Sequence, residues 1–422
     1  MADTSKTESS TGPETESNRQ HLLGSLVFGH TIIHWYQQLF PVILPGIKDT
    51  LDLNDVELGT LSTIREGSSG LLIMPSGFLA DSFYKYRPLL LAFALASSGL
   101  AYFMVGLAFS YFWILPGIAM IGVASAAWHP ASVGSLSTRF PDRRGTALAL
   151  HGVGASIGDT ISPLIIGALL LFVSWQTLMQ YHLLPALVLA FILWRSLGSH
   201  FKDAGPRPTV KNYLSGIKDM LSQRSVLAIM FAGIFMSMGR LSILTFLPIY
   251  LAEDLNYSTL GLGFYLMLLY LMGMVSQPIM GVVSDKFGRK VVLLPAYAAL
   301  GLLYFLVPAT GNSLELGLVV GAMGMFFYGT SNIATAAVMD LSSSSIQGST
   351  MSVQSVFRHI FTLPSPIIAG VLVTWKGIDA AFIYAGVLLL LGGLGDCGYK
   401  IPPLTNSRPS LKLVDPSTPR RI

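Results

Sequence analysis

The sequence predicts an all-α membrane protein with twelve transmembrane helices in two pseudo-symmetric six-helix bundles. Three observations carry that prediction. Twelve apolar runs follow one another between residues 21 and 399, each about 20 residues or longer and so able to cross ~30 Å of hydrocarbon as a helix. Lys and Arg are unevenly shared among the connections, as the positive-inside rule requires. The chain also repeats itself about half a length on, the mark of a duplicated unit. Composition agrees: 11% of the residues are charged, against about 25% in soluble domains, and the mean hydropathy is +0.61.

Residues 1–20 are rich in Ser, Thr and Glu and read as a disordered tail. No basic start precedes a short apolar core, so they do not read as a signal peptide. The runs then cover 21–44, 56–80, 88–109, 111–137, 145–173, 177–198, 225–251, 257–283, 291–310, 314–340, 346–374 and 378–399. The first six form one expected bundle (21–198) and the last six another (225–400). Between them, 199–224 contains Gly205-Pro206-Arg207-Pro208 and Lys202, Lys211, Lys218 and Arg224. It reads as a cytoplasmic linker, partly an amphipathic surface helix. Residues 401–422, with five prolines, read as a flexible tail. With both termini inside, 21 of the 26 Lys and Arg fall on the inner side, 2 on the outer side (Lys48 and Lys376), and three within runs. The inner loops alone carry 14, so the tails do not decide the orientation. A multi-pass plasma (inner) membrane protein with cytoplasmic termini is expected.

Three basic residues lie deep inside runs, Arg65, Arg240 and Arg358, whereas Arg195 sits at the inner end of its run and counts with the inner side; Glu66 and Asp159 join the three. At 1.5 Å per residue all five fall ~14–22 Å into the bilayer, where a charge costs at least ~2.5–3.5 kcal/mol. Arginine cannot shed its charge. It needs a carboxylate, carbonyls, water or an anion, and its planar fork suits phosphonate, phosphate or carboxylate oxygens. Arg65 comes from the first half and Arg240 and Arg358 from the second, so a site between the halves is expected. The alternative is structural pairing, for example Arg65 with Asp159 or Glu66 with Arg358. Glu66 is a candidate proton carrier, since burial favours its neutral form and a nearby arginine its charged form. Asp159 is a second candidate.

The first run carries His30, His34 and Gln37 on one face, with Gln38, Tyr36 and Trp35 alongside. A polar stripe on an apolar helix points at a cavity and a ligand or proton, or at an interhelical hydrogen bond. The His30/His34 spacing suits a metal pair, but no HExxH motif and no partnering cysteine accompany it. No metal is therefore expected. A lone cysteine, Cys397, excludes a disulfide framework. No GxxxxGK[ST] loop occurs, which argues against ATP drive. No cofactor, nucleic acid or catalytic constellation is expected, and the protein is expected to be a monomer.

The repeat is clearest in two loops. Gly281-Val-Val-Ser-Asp285-Lys-Phe-Gly288-Arg289-Lys290 has a near-copy at Gly77-Phe-Leu-Ala-Asp81-Ser-Phe-Tyr-Lys85-Tyr-Arg87, offset by 204 residues. At offset 203, Gly145, Ser162, Pro163 and Gly167 correspond to Gly348, Ser365, Pro366 and Gly370. These loops resemble those between helices 2 and 3 and helices 8 and 9 of the major facilitator superfamily of secondary transporters. The resemblance covers roughly residues 21–400; the first copy departs from the pattern at Tyr84. It implies a gating role for Gly77, Asp81, Arg87, Gly281, Asp285 and Arg289, in which the acids cap the next helix or pair with arginine across the bundle interface. Trp128-His129-Pro130 and Gly154–Gly158–Pro163 resemble the fosmidomycin-resistance branch of efflux proteins. Antiporters of the family carry Pro directly after Gly in the fifth helix, where this chain has Asp159.

Taken together, the residues and the resemblance lead to proton-coupled secondary transport of a small anionic organic compound. The branch implies efflux by exchange. Expected substrate contacts are Arg65, Arg240, Arg358, His30, His34, Gln37 and Tyr36; expected proton carriers are Glu66 and Asp159. Proton symport of an organic acid and a non-transporting membrane receptor or scaffold remain as alternatives.

Overall fold

The computed structural model describes residues 16–198, 224–341 and 347–397. Most of the expected tails and linker, 1–15, 199–223 and 398–422, therefore lies outside the described residues. Among the described residues the protein is helical and contains no strand. The helices of the first half are α1 Glu16–Leu51, α2 Asp55–Ser82, α3 Arg87–Gly106, α4 Tyr111–Arg139, α5 Arg144–Leu169, α6 Trp175–Tyr181 and α7 Leu183–Leu197. The second half contains α8 Arg224–Ile249, α9 Thr259–Phe287, α10 Arg289–Thr310, α11 Leu314–Phe327, α12 Gly329–Leu341, α13 Gln347–Thr362, α14 Ser365–Lys376 and α15 Asp379–Cys397. The first helix begins at Glu16, five residues before the first apolar run.

Among the described residues nine stretches are long and apolar enough to cross a membrane, judged by length and composition. Asp379–Gly395 is apolar but shorter. The runs at 21–44 and 56–80 are helical as well, within α1 and α2. They miss the same standard because they carry the polar residues His30, His34, Gln37 and Gln38, and Arg65 and Glu66. Large apolar side chains such as Leu71, Phe93, Phe191, Ile279 and Leu302 stand exposed, a surface that suits lipid rather than water. Helix starts are conventional: Asn54 caps α2 in a reciprocal box with Glu57, and Ser110 and Ser258 cap α4 and α9.

The duplication is visible in the packing. The two halves meet where α5 runs along α9 and α2 along α14. A Cβ at Gly263 would lie 2.3 Å from the Pro163 carbonyl oxygen, and one at Gly59 would lie 2.2 Å from that of Pro366. Gly167 approaches the Thr259 carbonyl and Gly370 that of Asp55, both at 2.3 Å. All four pairs of equivalent positions keep the repeat offset of 203 or 204 residues. Within the halves, Ser162 donates to the Trp35 carbonyl at 2.9 Å and Ser365 to the Met238 carbonyl at 2.7 Å, again equivalent positions. At the same end, Lys48 bridges Asp55 of its own half at 2.9 Å and Glu253 of the other at 2.8 Å. Burial draws the Lys48 ammonium down, but the two carboxylates outweigh it and hold its pKa above the ordinary lysine value.

The repeated loops lie at the opposite end. Arg289 pairs with Asp285, donates to Ser284 Oγ at 2.8 Å and reaches Asp340 at 2.9 Å. Arg87 donates to Asp81 at 3.0 Å and to the Ala80 carbonyl at 2.8 Å, and lies over the Tyr84 ring. Each arginine thus stays within its own half, and among the described residues no ion pair crosses between the halves at this end. Gly288 has φ +101°, which explains the second glycine of the motif. In the first copy a 3₁₀ turn over Tyr84–Tyr86 makes the corner instead, with two more residues between Asp81 and Arg87, so Tyr84 is tolerated.

Replacing Gly263 or Gly59 by Ala should push the halves apart at the Lys48 end. Overpacking of about 1–3 kcal/mol would shift the ratio of closed to open forms roughly 5- to 150-fold. Spin labels at the exposed Phe109 and Leu314 should report a longer distance population; an unchanged distribution in both variants would show that the glycines do not set the closure.

Candidate functional site

The centre of the first half is a histidine and carboxylate cluster, and glycines determine where it forms. A Cβ at Gly154 would meet the Val27 carbonyl oxygen at 2.5 Å, and one at Gly158 the Thr31 carbonyl oxygen at 2.3 Å. The backbones of α1 and α5 therefore nearly touch. That approach brings Asp159 against α1, where Oδ1 lies 2.9 Å from His34 Nδ1 and 2.6 Å from Gln38 Nε2. The first run's polar stripe is thus spent partly on this carboxylate. Gln37 turns to α4 and donates to Ser125 Oγ at 3.0 Å. His30 Nδ1 donates to the His151 carbonyl at 2.7 Å, and the two imidazoles stack at 3.7 Å. His129 Nδ1 donates to the Ser125 carbonyl at 3.1 Å, and its Nε2 lies 3.5 Å from His30 Nε2.

Two cavities adjoin this cluster. One, of about 190 Å³, lies between the halves and is lined by His34, Ser156 and Asp159 from the first and Tyr270, Gln277 and Tyr328 from the second. The other, of about 430 Å³, is lined by His129 from α4 and by Ser237, Asn332, Gln354 and Arg358 from the second half. The buried centre of a membrane protein thus has polar walls from both halves, the general form of a ligand site.

The structure separates the sequence-predicted residues into groups. Arg358 lines the larger cavity. Arg240 lies with its guanidinium over the Tyr328 ring at 4.0 Å and the Phe327 ring at 5.0 Å, behind the wall of the smaller one. Arg65 stacks over Phe40 at 5.1 Å. Among the described residues none of the three has a carboxylate within ion-pair distance, so the pairings Arg65 with Asp159 and Glu66 with Arg358 are not formed as contacts. Glu66 instead has its Oε1 2.7 Å from His359 Nδ1. The oxygen lies off the ring's N–H direction, so this is a close polar contact rather than an aligned hydrogen bond. It joins α2 to α13 across the halves, beside Arg358. Tyr36 does not join the cluster. It is buried and donates to the His182 carbonyl at 2.6 Å, while Trp35 Nε1 reaches His182 Nε2 at 3.3 Å. Both rings serve helix packing.

Sequence reasoning did not place His129 at the site, a histidine before proline having a ready explanation as a helix-kink hydrogen bond, and it missed His359, Tyr270 and Tyr328. The repeat could have found three of them. Tyr270 lies 204 residues after Glu66, Tyr328 lies 203 after Ser125, and His129 lies 203 before Asn332.

Comparison with known proteins agrees with this architecture. The family model of the Major Facilitator Superfamily matches residues 26–361 and 229–418. The fosmidomycin resistance protein of Escherichia coli is 26% identical over 278 residues, covering 64% of this chain and 67% of that protein. An E. coli relative named "Probable galactarate/D-glucarate transporter GarP" is 22% identical over 390 residues, covering 82% of this chain and 86% of its own. Among solved structures, a bacterial homologue of the human lysosomal transporter Spinster, inward-facing and unoccupied, superposes with a TM-score of 0.70. It is 14% identical and covers 91% of this chain and 96% of its own. The fold, the duplicated halves and the matched length lead to one conclusion: this chain is a multi-pass membrane protein that belongs to the Major Facilitator Superfamily.

Proposed function

We propose that the protein is a proton-coupled secondary transporter of a small anionic organic compound, working by efflux in exchange for protons. All twelve runs cross the membrane in this reading, as two six-helix bundles. Both termini and the Asp81/Asp285 end lie in the cytoplasm, the Lys48 end faces outward, and a monomer in the inner membrane does the work. The observation that carries the reading is the set of three arginines, drawn from both halves. Among the described residues none is matched by a carboxylate at ion-pair distance. A buried guanidinium without a carboxylate favours an anionic guest, because the guest supplies the charge that the protein withholds. The names of two relatives, one for fosmidomycin resistance and one for galactarate and D-glucarate, favour a small organic cargo.

Arg358 is the proposed primary anchor, on the wall of the larger cavity, with Arg65 and Arg240 contributing field and His30, His34 and Gln37 shaping the opposite wall. Tyr36 takes no part in this proposal. Glu66 is the proposed coupling carboxylate. Its partner His359 neighbours Arg358 in sequence, so an anion that takes Arg358 changes the charge felt by Glu66 directly. Asp159, held by His34 and Gln38, is the second candidate. The loops at Gly77, Asp81 and Arg87 and at Gly281, Asp285 and Arg289 act as latches within each half. They stiffen the cytoplasmic ends that move apart as bodies.

Arg358→Ala should weaken binding of the transported anion by about 2–5 kcal/mol, roughly 30-fold or more, in a protein that still folds. A panel beginning with fosmidomycin and D-glucarate, titrated into detergent-solubilised protein, checks this; affinity equal to that of the unmodified chain would remove Arg358 from the site. Glu66→Gln should keep substrate exchange in proteoliposomes but lose its response to an imposed pH gradient. If anion and protons move in the same direction in the unmodified protein, exchange gives way to symport.

A further inference from the structure

We infer that His30, His34 and His129 form a binding site for one divalent transition-metal ion of the borderline class, such as Zn²⁺ or Co²⁺. One ring nitrogen from each of the three lies within 4.8 Å of the others. Their tautomers are dictated by their partners. His30 Nδ1 faces the His151 carbonyl and His129 Nδ1 the Ser125 carbonyl. A carbonyl only accepts, so both Nδ1 atoms carry the proton. His34 Nδ1 faces Asp159 Oδ1, which also accepts from Gln38, so it too is the donor. Each imidazole therefore presents an Nε2 lone pair.

Two of those lone pairs confront each other, with His30 Nε2 and His129 Nε2 at 3.5 Å. The third, His34 Nε2, is buried and has no partner. Converging lone pairs in a poorly hydrated interior repel unless a cation lies among them. Zinc–imidazole bonds of about 2.0–2.1 Å hold tetrahedral nitrogens about 3.3–3.4 Å apart, close to the His30–His129 spacing of 3.5 Å, and a small side-chain rotation of His34 would complete the set. Three imidazoles, each oriented through Nδ1 by a carbonyl or a carboxylate, are the support that metal-binding histidines need. The absence of sulfur ligands and the all-nitrogen set favour Zn²⁺, Co²⁺, Ni²⁺ or Cu²⁺ over Ca²⁺ or Mg²⁺. His34 and His129 also line the two cavities, so a fourth position would open onto water or a cargo oxygen. The two chelating helices, α1 and α4, belong to one half, so the ion would travel with that half.

The test is titration of tag-free, full-length protein in detergent with Zn²⁺, and with Co²⁺ for its visible spectrum. One ion per chain is expected, with a tetrahedral nitrogen-ligand Co²⁺ spectrum. His30→Gln and His129→Gln should each weaken Zn²⁺ binding at least 10-fold, and Asp159→Asn by roughly 10- to 100-fold through the loss of its support to His34. Arg358→Ala removes a positive charge from the cavity that His129 also lines, so it should strengthen Zn²⁺ binding while it weakens anion binding. No saturable binding, or equal binding by a variant with all three histidines replaced by glutamine, would overturn the site; the second outcome would mean that a histidine elsewhere binds the ion. The metal titration requires no flux and no anion, so this site and the transport reading can fail separately.

Discussion

The closeness of backbones at glycine governs the rest of this structure. Gly154 and Gly158 let α1 and α5 approach until a methyl group would collide with a carbonyl oxygen. Only then does Asp159, on a short side chain, reach both His34 and Gln38. The same device, at Gly59, Gly167, Gly263 and Gly370, joins the halves at one end. In a bilayer the hydrophobic effect does not drive helices together, because lipid tails are as apolar as leucine. Tight van der Waals contact and interhelical hydrogen bonds must do so. The glycines at helix crossings are therefore part of the fold's cohesion, and they set where polar side chains can meet.

The second constraint is charge in a poorly solvated interior. The protein distributes its buried ionisable groups unequally. Asp159 holds His34 and Gln38 on one carboxylate oxygen, and Glu66 lies against His359. The arginines lean on aromatic rings, Arg65 on Phe40 and Arg240 on Tyr328 and Phe327. A ring face attracts a cation by about 0.5–2 kcal/mol, which is less than a desolvated guanidinium loses. The aromatic contacts orient these side chains without neutralising them. The carboxylates lie against imidazoles, groups whose own charge can change, and the guanidinium charges stay available.

Much of the fold was legible because it is written in period and repetition. The apolar runs lie on helices, and the duplicated loops and the Ser162/Ser365 pair return as equivalent contacts. The polar stripe of the first run correctly announced that α1 faces polar neighbours. What the sequence could not convey was partner choice. The spacing sets Gln37 and Gln38 ~100° apart, but it does not tell which meets Ser125 and which Asp159, since the rotation of α1 about its axis decides. Tyr36 was placed at the site by proximity in sequence, yet the ~100° step from one helical residue to the next carries it to His182. His129 was undervalued because a histidine before proline has a ready local explanation, and its hydrogen bond to Ser125 does match that explanation. Its other nitrogen is what belongs to the site.

The distribution of bonds between the halves bears on how readily they separate. At the end where they touch, the polar links are Lys48 to Glu253, Thr259 to the Gly167 carbonyl, Thr63 to the Leu363 carbonyl and Thr245 to Ser62. Each such bond contributes about 0.5–1.5 kcal/mol net, and an exposed ion pair often less. All of them use groups that water can satisfy once the surfaces part. Deeper in, Glu66 meets His359 across the halves, and much of the remaining contact is backbone or side chain against glycine. On the proposed transport reading, halves that meet through small residues and replaceable hydrogen bonds close at either end in turn. The tightly packed helices within each half, α1 on α5 and α2 on α4, have no such freedom and move as bodies. On the proposed transport reading, the energetic difference between the two closures is then small enough for a single bound anion or proton to decide it.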